Sequence, residues 1–270
     1  MLTRLQKIRF DRNGFLQVPN VFSPTQIQQL RTFVTELFAH PSPHEGDYDK
    51  KGGVSPGVRF DVFARCPELK WLATHSKTVA ILRDLMGHDF VFLPETAAHD
   101  SGYGGWHKDT SSQERDGLTF HWESDFLMVQ VAVYLQDNTS MAGGGLDVIP
   151  GSHRRRGNYG QSIARRGVVR WMEERLWGAA KDSCYSIPSR AGDLLLFHYR
   201  LDHRATQPAV HPVPVEHRKL AIFFACSVNN RHVGNYIDYI SSRSDYVYLK
   251  DHRYSDDLLQ AAGSQQLTLL

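Results

Sequence analysis

After Gly87 the sequence consists mainly of short apolar segments that are rich in β-branched and aromatic residues, with turn-forming residues between them. The segments read DFVFLPE, FLMVQVAVYLQD, GLDVIPGSH, DLLLFHYRL and RKLAIFFACSV. Val, Ile, Phe and Tyr favour strands, and runs of this length bounded by Gly, Pro and Asp are typical of antiparallel sheets. The pattern predicts a β-sandwich or jelly roll, which packs its sheets against each other and leaves an open end for a ligand.

Helices are predicted in the part of the chain before Gly87. Ser23 is a suitable N-cap for a helix with Pro24 at its first position, and apolar residues recur at helical spacing as far as Phe38. A second helical region is predicted over Pro67–Met86, with Gly87 as its stop signal. We therefore expect a mainly β protein that also contains α-helices, and we expect the N-terminal helices to pack on one sheet.

The chain is predicted to form one domain over residues 1–270. Its 270 residues are 41% hydrophobic, which is enough to bury a large core. The helical part is expected over about residues 1–88 and the β core over about 89–250. A helical insertion interrupts this core over about residues 154–189, with its helix around Val168–Ala180.

Charge and cysteine content exclude several functional classes. The 31 basic and 29 acidic residues are spread along the chain, so we expect neither a nucleic-acid partner nor a membrane surface. No segment resembles a signal peptide or reaches the ~20 apolar residues of a membrane span. Three scattered cysteines do not make a disulfide framework. The expected location is the cytoplasm, and the sequence does not indicate an oligomeric state.

His107 and Asp109 stand two residues apart in the segment GGWHKD. If this segment is extended, both side chains leave the same face, so an imidazole and a carboxylate can approach one metal ion. A third, distant histidine would complete the two-histidine, one-carboxylate set that leaves open positions on iron(II). The segment AGDLLLFHYRLDHRATQP offers His198 and His203, and spacing does not choose between them.

A second pair of residues has the same spacing as the first. His121 and Glu123 lie two residues apart in FHWESD, and a glutamate can also bind a metal ion. By geometry alone the two pairs are equivalent. The sequence around them has to decide which pair binds the metal.

Five blocks of sequence, taken in order, carry a family resemblance. They are FDRNGFLQVPNVFSPTQIQQL, GWHKD, GGGLDVIPGSH, GDLLLFHYRLDHRATQP and HRKLAIFFA. Over about residues 8–228 the chain resembles the phytanoyl-CoA dioxygenase family of iron(II)- and 2-oxoglutarate-dependent oxygenases. The joint occurrence of the blocks is far more specific than any one of them. The resemblance implies a double-stranded β-helix (jelly-roll) core, iron(II), 2-oxoglutarate as cosubstrate and O₂.

The resemblance also implies which residues form the catalytic metal site. His107 and Asp109 match the first iron ligands of the family, and His203 matches the distal ligand. His198 then belongs to the preceding strand. Asp109 matters in a further way, because halogenating relatives carry a small residue there to admit halide. The resemblance therefore favours hydroxylation over halogenation.

The cosubstrate-binding residues are likewise implied by the resemblance. Family members place an arginine on the strand after the distal histidine, where it pairs with the C5 carboxylate of 2-oxoglutarate. Arg218 occupies that place, and a guanidinium binds a carboxylate bidentately. Relatives often carry a serine two residues after the distal histidine. This chain has Ala205 there, so Thr206 is the substitute candidate. Alignment places Gln130 near the cosubstrate carboxylate.

The predicted activity is hydroxylation of an unactivated C–H bond in a small-molecule metabolite or natural-product intermediate, with release of succinate and CO₂. Desaturation or ring formation by the same oxidant, a non-catalytic jelly-roll binding protein and a zinc hydrolase are alternatives. The predicted pocket walls are the loop over residues 45–61, the segment after Asp109, and the insertion. The candidate substrate contacts are Arg59, Trp106, His121 and Trp122.

Overall fold

The computed structural model describes residues 1–40, 42, 57–157 and 184–270. Most of the predicted loop over residues 45–61 and the predicted helix around Val168–Ala180 lie outside the described residues.

The described part of the chain contains both α-helices and β-strands. The helices are α1 (Arg4–Asn13), α2 (Pro24–Ala39), α3 (Val62–Arg65), α4 (Ser76–Met86), α5 (Ser111–Arg115), α6 (Arg231–Ser241) and α7 (Asp256–Ser264). Short 3₁₀ helices cover Lys70–Leu72, Phe120–Trp122, Ser152–Arg154, Val215–His217 and Ser244–Lys250. The strands are β1 (Phe15–Val18), β2 (Val58–Phe60), β3 (Val91–Asp100), β4 (Met128–Tyr134), β5 (Leu146–Val148), β6 (Tyr185–Ser186), β7 (Leu194–His198), β8 (His203–Ala205), β9 (Leu220–Ser227) and β10 (Thr268–Leu269).

The strands form two sheets. The larger sheet has the order β1-β7-β4-β9-β3-β10, with β2 paired to β3, and the smaller sheet has the order β6-β5-β8. All pairs are antiparallel except the one between β10 and β3. The sheets face each other across a cluster of buried side chains, which includes Ala132, Tyr134, Leu146, Val148, Leu195 and Phe197. This arrangement confirms the predicted jelly roll.

The outer face of the larger sheet packs against the N-terminal helices, as predicted. Its apolar side chains share one buried cluster with residues of α2 and α4, among them Ile27, Leu30, Val34, Val79, Leu82, Val131 and Ile222. Ser23 caps α2 by accepting a hydrogen bond from the Gln26 backbone N–H, and Pro24 is the first helical residue. The sheet therefore has an outer, helix-covered face and an inner face that looks toward the smaller sheet.

The second predicted helical region is broken in the structure. A 3₁₀ turn covers Lys70–Leu72, and α4 begins only at Ser76, because His75 takes extended backbone angles of φ −62° and ψ 116°. The helix ends at Gly87, where a φ of +99° favours glycine. Among the described residues, no helix combines the length and apolar character needed to cross a membrane.

Candidate metal centre

His107, Asp109 and His203 come together on the inner side of the jelly roll. Backbone hydrogen bonds of 2.9 Å in both directions join His107 to His203, and the Asp109 N–H donates to the Tyr199 carbonyl at 3.0 Å. One potential ligand atom from each of the three side chains lies within 4.8 Å of the other two. Pairing between the GGWHKD segment and β8 thus brings together residues that are distant in sequence.

Backbone carbonyls orient both imidazoles. The Nδ1 of His107 lies 2.7 Å from the Gly105 oxygen, and the Nδ1 of His203 lies 2.9 Å from the Leu201 oxygen. A carbonyl can only accept, so each Nδ1 carries the proton and each Nε2 presents its lone pair. Both Nε2 atoms lie 3.7 Å from Asp109 Oδ1. The imidazoles are therefore in the form that binds a metal ion.

The electrostatics of the three side chains suit a cation. Burial lowers the pKa of His203 to about 4 and also lowers the pKa of His107, so both rings are neutral near pH 7. Burial raises the pKa of Asp109 to about 7. Its Oδ2 is buried without a hydrogen-bond partner in the described structure. A bound cation would give this oxygen its missing partner, so the donor set fits iron(II) held by two nitrogens and one oxygen.

His198 and the alternative pair do not form a comparable group among the described residues. The Nδ1 of His198 accepts the Arg200 backbone N–H at 3.0 Å. Glu123 groups with Asp125 and His232, and His121 is not a member of that group. That second group is exposed at both carboxylates, and Arg231 already forms ion pairs with them. One positive charge thus already offsets part of its negative charge.

Gln130 lies on the inner face of β4, in the same alternation as Met128 and Ala132. Its Oε1 is buried and has no hydrogen-bond partner in the described structure. A buried amide oxygen without a donor costs free energy unless a ligand supplies one. The position is consistent with the predicted cosubstrate contact, which stays a prediction.

The structure corrects the prediction for Thr206. His203 and Ala205 pair with Val148 and Leu146 and share their inner face, so Thr206 points outward. Its hydroxyl donates to Asp147 Oδ1 at 2.8 Å. Thr206 therefore supports the outer side of the smaller sheet and does not replace the serine of relatives.

Arg218 and Lys219 leave the chain in opposite directions just before β9. The Arg218 guanidinium binds Asp100 through two contacts, of which the Nε–Oδ1 contact measures 2.6 Å. Lys219 is inward-facing and buried, and burial lowers the pKa of its ammonium to about 8. Sequence reasoning missed Lys219, although its alternation with Ala221 and Phe223 indicates the inner face.

Arg59 and His121 were both predicted to contact the substrate, and the structure corrects the first of these predictions. Arg59 pairs in register with Ala98 on the outer face, where its guanidinium lies 4.6 Å from the Phe38 ring centre and donates to the His40 carbonyl at 3.0 Å. His121 has 0% of its surface exposed. Arg59 does not reach the inner chamber, because it lies on the outer face next to α2, whereas a substrate contact by His121 stays a prediction.

The two predicted tryptophan contacts pack against cations. The Arg204 guanidinium lies 4.9 Å from the Trp106 ring centre, on the outer side of β8. The Trp122 ring lies 5.1 Å from the Arg200 guanidinium carbon and 5.4 Å from the Lys108 ammonium. Trp106 thus points away from His107, and a substrate contact by Trp122 stays a prediction.

A jelly roll with two imidazoles and one carboxylate converging on its inner side defines the class of mononuclear non-haem iron(II) oxygenases. The sequence model of one family of this class, Phytanoyl-CoA dioxygenase (PhyH), matches residues 10–208. The chain belongs to this family.

Comparisons with individual proteins agree with the family. The chain is 27% identical to an ectoine dioxygenase of Nocardia farcinica over 214 residues, which cover 72% of this chain and 69% of the relative. It is also 27% identical to an ectoine dioxygenase of Sphingopyxis alaskensis over 158 residues, 55% of this chain and 49% of the relative. The second match thus spans about half the length of that relative.

Solved structures share the fold. The ectoine dioxygenase EctD of S. alaskensis with 2-oxoglutarate and 5-hydroxyectoine superposes with a TM-score of 0.63 at 21% identity, covering 84% of this chain and 76% of that chain. The non-haem α-ketoglutarate-dependent epimerase SnoN from nogalamycin biosynthesis superposes with a TM-score of 0.57 at 17% identity, covering 85% of each chain.

Proposed function

We propose that this protein is an iron(II)- and 2-oxoglutarate-dependent dioxygenase that hydroxylates an unactivated C–H bond of a small molecule. The observation that carries the proposal is the convergence of His107, Asp109 and His203, in which both Nε2 atoms present their lone pairs and lie 3.7 Å from Asp109 Oδ1. Three protein ligands on one side leave the other positions of an iron ion open for the cosubstrate and O₂.

The chain's own residues would hold and isolate the reacting groups. His107, Asp109 and His203 would bind iron(II), and the carbonyls of Gly105 and Leu201 keep the imidazoles in the binding tautomer. Phe197 packs its ring 4.7 Å from the His203 ring and excludes water from one side. When bound, iron and 2-oxoglutarate would activate O₂, the oxidant of both substrate and cosubstrate, with release of succinate and CO₂.

For the substrate we propose a small polar or cyclic metabolite or a natural-product intermediate. Two relatives are named ectoine dioxygenases, which makes a small cyclic polar molecule the first class to test. A structural neighbour is an epimerase, so the fold accommodates outcomes other than hydroxylation. Hydroxylation adds one oxygen atom to the substrate, whereas desaturation or ring formation removes two hydrogen atoms. Product mass therefore distinguishes these reactions.

The test uses His203→Asn and the matched variant His198→Asn. Anaerobic addition of iron(II) and 2-oxoglutarate to the wild type should give a visible metal-to-ligand charge-transfer band, and O₂ should then yield succinate. Loss of a residue that hydrogen-bonds a metal ligand typically lowers metal affinity by up to about 100-fold. His203→Asn removes a ligand itself, so it should lower iron affinity by at least about 100-fold. His198→Asn should keep the band, because an asparagine oxygen can accept the Arg200 N–H in place of Nδ1.

Either of two results would contradict the proposal. A band that persists in His203→Asn but disappears in His198→Asn would show that the distal ligand is wrong. A wild-type protein that binds zinc but forms no band with iron(II) and 2-oxoglutarate would favour a hydrolase or a metabolite-binding protein.

A further inference from the structure

Lys219 carries a buried charge for which the described structure offers no carboxylate. Lys219 is only 4% exposed, and its ammonium donates a hydrogen bond to the Gly102 carbonyl. The ammonium nitrogen lies 5.5 Å from the centre of the Tyr103 ring. Among the described residues, no Asp or Glu forms an ion pair with it. A buried cation without a counter-ion is costly, so such a group commonly serves a ligand.

The other buried lysine shows how this fold satisfies an ammonium that has a structural role. The ammonium of Lys108 lies 3.7 Å from the Asp202 carboxylate. It also donates three hydrogen bonds of 2.9 Å to the backbone carbonyls of Ser152, Arg155 and Arg200. Lys108 therefore has a counter-ion and uses all three of its donors. Lys219 lacks this set of partners within the described part of the chain.

The position of Lys219 directs its ammonium toward the metal site. It precedes β9 and alternates with Ala221 and Phe223, which lie on the inner face. The Phe223 ring packs 4.7 Å from the ring of His99, another inner residue. The carbonyl that the Lys219 ammonium contacts belongs to Gly102, in the segment that leads directly into His107. The ammonium and the triad thus face the same chamber.

Arg218 is placed differently. Its Nε and Nη2 bind the two oxygens of Asp100, which is the bidentate geometry that a guanidinium uses for a ligand carboxylate. Asp100 pairs in register with Leu220, whose side chain belongs to the outer, helix-covered cluster. To bind a second carboxylate, Arg218 would have to break an existing ion pair and turn to the other face of the strand.

We propose that Lys219, and not Arg218, binds the distal carboxylate of the 2-oxo acid cosubstrate in this chain. The assignment rests on the proposed function and deepens it. An incoming carboxylate would provide the counter-ion that Lys219 lacks, whereas Arg218 gains nothing by exchanging Asp100 for a ligand. Because an ammonium binds as a point charge, the anchor does not require the planar match that a guanidinium demands.

The test compares Lys219→Met with the matched variant Arg218→Met. Each iron(II)-loaded protein is titrated anaerobically with 2-oxoglutarate and with 2-oxopentanoate, which has the same carbon chain without the distal carboxylate. Calorimetry gives both Kd values. The wild type should prefer 2-oxoglutarate, and Lys219→Met should weaken its binding about 30-fold or more, a loss typical of a truncated buried charge pair. The Kd of 2-oxopentanoate should change less than about threefold. Arg218→Met should keep the preference.

The outcomes separate this assignment from the proposed function. Loss of the preference in Arg218→Met, with its retention in Lys219→Met, would overturn the assignment and leave the oxygenase proposal in place. A wild type that binds iron(II) but neither 2-oxo acid would overturn the oxygenase proposal and the assignment with it.

A further variant covers the case in which Lys219→Met does not fold. Asp100→Asn weakens the ion pair of Arg218 and leaves Lys219 untouched. If Lys219 is the anchor, the Kd of 2-oxoglutarate should stay within about threefold of the wild type. If it tightens about tenfold or more, the freed Arg218 is the anchor and the assignment is wrong.

Discussion

His198 and His203 are five positions apart in one segment, yet their ring nitrogens meet opposite kinds of backbone group. An N–H faces Nδ1 of His198, whereas a carbonyl faces Nδ1 of His203. The Nε2 of His198 also lies 3.4 Å from a nitrogen of the Arg200 guanidinium, a cation that would repel a metal ion. The backbone therefore determines, residue by residue, which imidazole can act as a ligand.

His121 illustrates what full burial does to a histidine. Both ring nitrogens lack a hydrogen-bond partner in the described structure, although Nε2 lies 3.5 Å from Glu114. Burial, helped by the charges of Arg200, Arg156 and Lys108, lowers the pKa of His121 from 6.5 to about 4. Between these two pH values the unfolded chain binds a proton at this site and the folded protein does not. Stability is consequently lost as the pH falls from about 6.5 to about 4.

His121→Phe should remove this loss. Lowering the pH from 7 to 4 should reduce the free energy of unfolding in both proteins. The wild type should lose up to about 3 kcal/mol more than the variant. Urea unfolding at both pH values measures the difference, with exposed His88→Gln as the control. An unchanged pH slope in His121→Phe would show that this imidazole is protonated in the folded protein.

At the scale of elements, Glu95 of β3 connects three other parts of the chain. Its carboxylate accepts hydrogen bonds from Tyr199 at 2.8 Å and Tyr246 at 3.1 Å, and it also contacts the hydroxyl of Tyr236 on α6. Burial raises the pKa of Glu95, while the three hydroxyls act in the opposite direction. The cluster holds α6 and the 3₁₀ helix Ser244–Lys250 against the inner end of the larger sheet.

Glu95→Ala should destabilise the protein by about 3 kcal/mol or more, since it leaves three buried hydroxyls without an acceptor. Tyr246→Phe removes one donor and should cost about 1 kcal/mol. Exposed Glu68→Ala is the control and should stay within about 0.5 kcal/mol. Chemical denaturation measures all three. Equal stability of Glu95→Ala and the wild type would mean that the tyrosines find other acceptors.

Some elements have sequence signals that are too weak to predict. The only buried residue of α1 is Phe10, so this helix lacks the apolar stripe by which helices are recognised, and its capping box at Thr3 and Gln6 is the remaining signal. In contrast, α2 has both a cap and a stripe, and its predicted end at Phe38 differs from the observed end by one residue. Prediction succeeds where local and packing signals coincide.

For the whole molecule, metal binding should couple to global stability, because the three ligands come from segments that only the folded chain brings together. Iron(II) at about 100 times its Kd should add about 2.7 kcal/mol and raise Tm by roughly 5 °C or more. Anaerobic thermal unfolding measures the shift. Asp109→Ala should abolish it, and Asp125→Ala, in the second carboxylate-histidine group, should retain it. A shift that survives in Asp109→Ala but not in Asp125→Ala would relocate the metal site.

The sequence by itself determined the features that depend on local alternation and spacing. Five β-like segments predicted the jelly roll, because strand propensity and turn residues act over a few positions. The His107–Asp109 spacing placed an imidazole and a carboxylate on one face for the same reason. The ordered blocks then identified the family, and the model match over residues 10–208 confirmed it.

Only the tertiary structure decided which side chains face the chamber. Arg218 and Lys219 are equivalent cations in the sequence, and the difference lies in Asp100, which is 118 positions away from Arg218. Thr206 and Arg59 point outward because the partners of their strands fix the faces. Strand pairing and burial join distant segments, and no local pattern records which distant group an ionic side chain will meet.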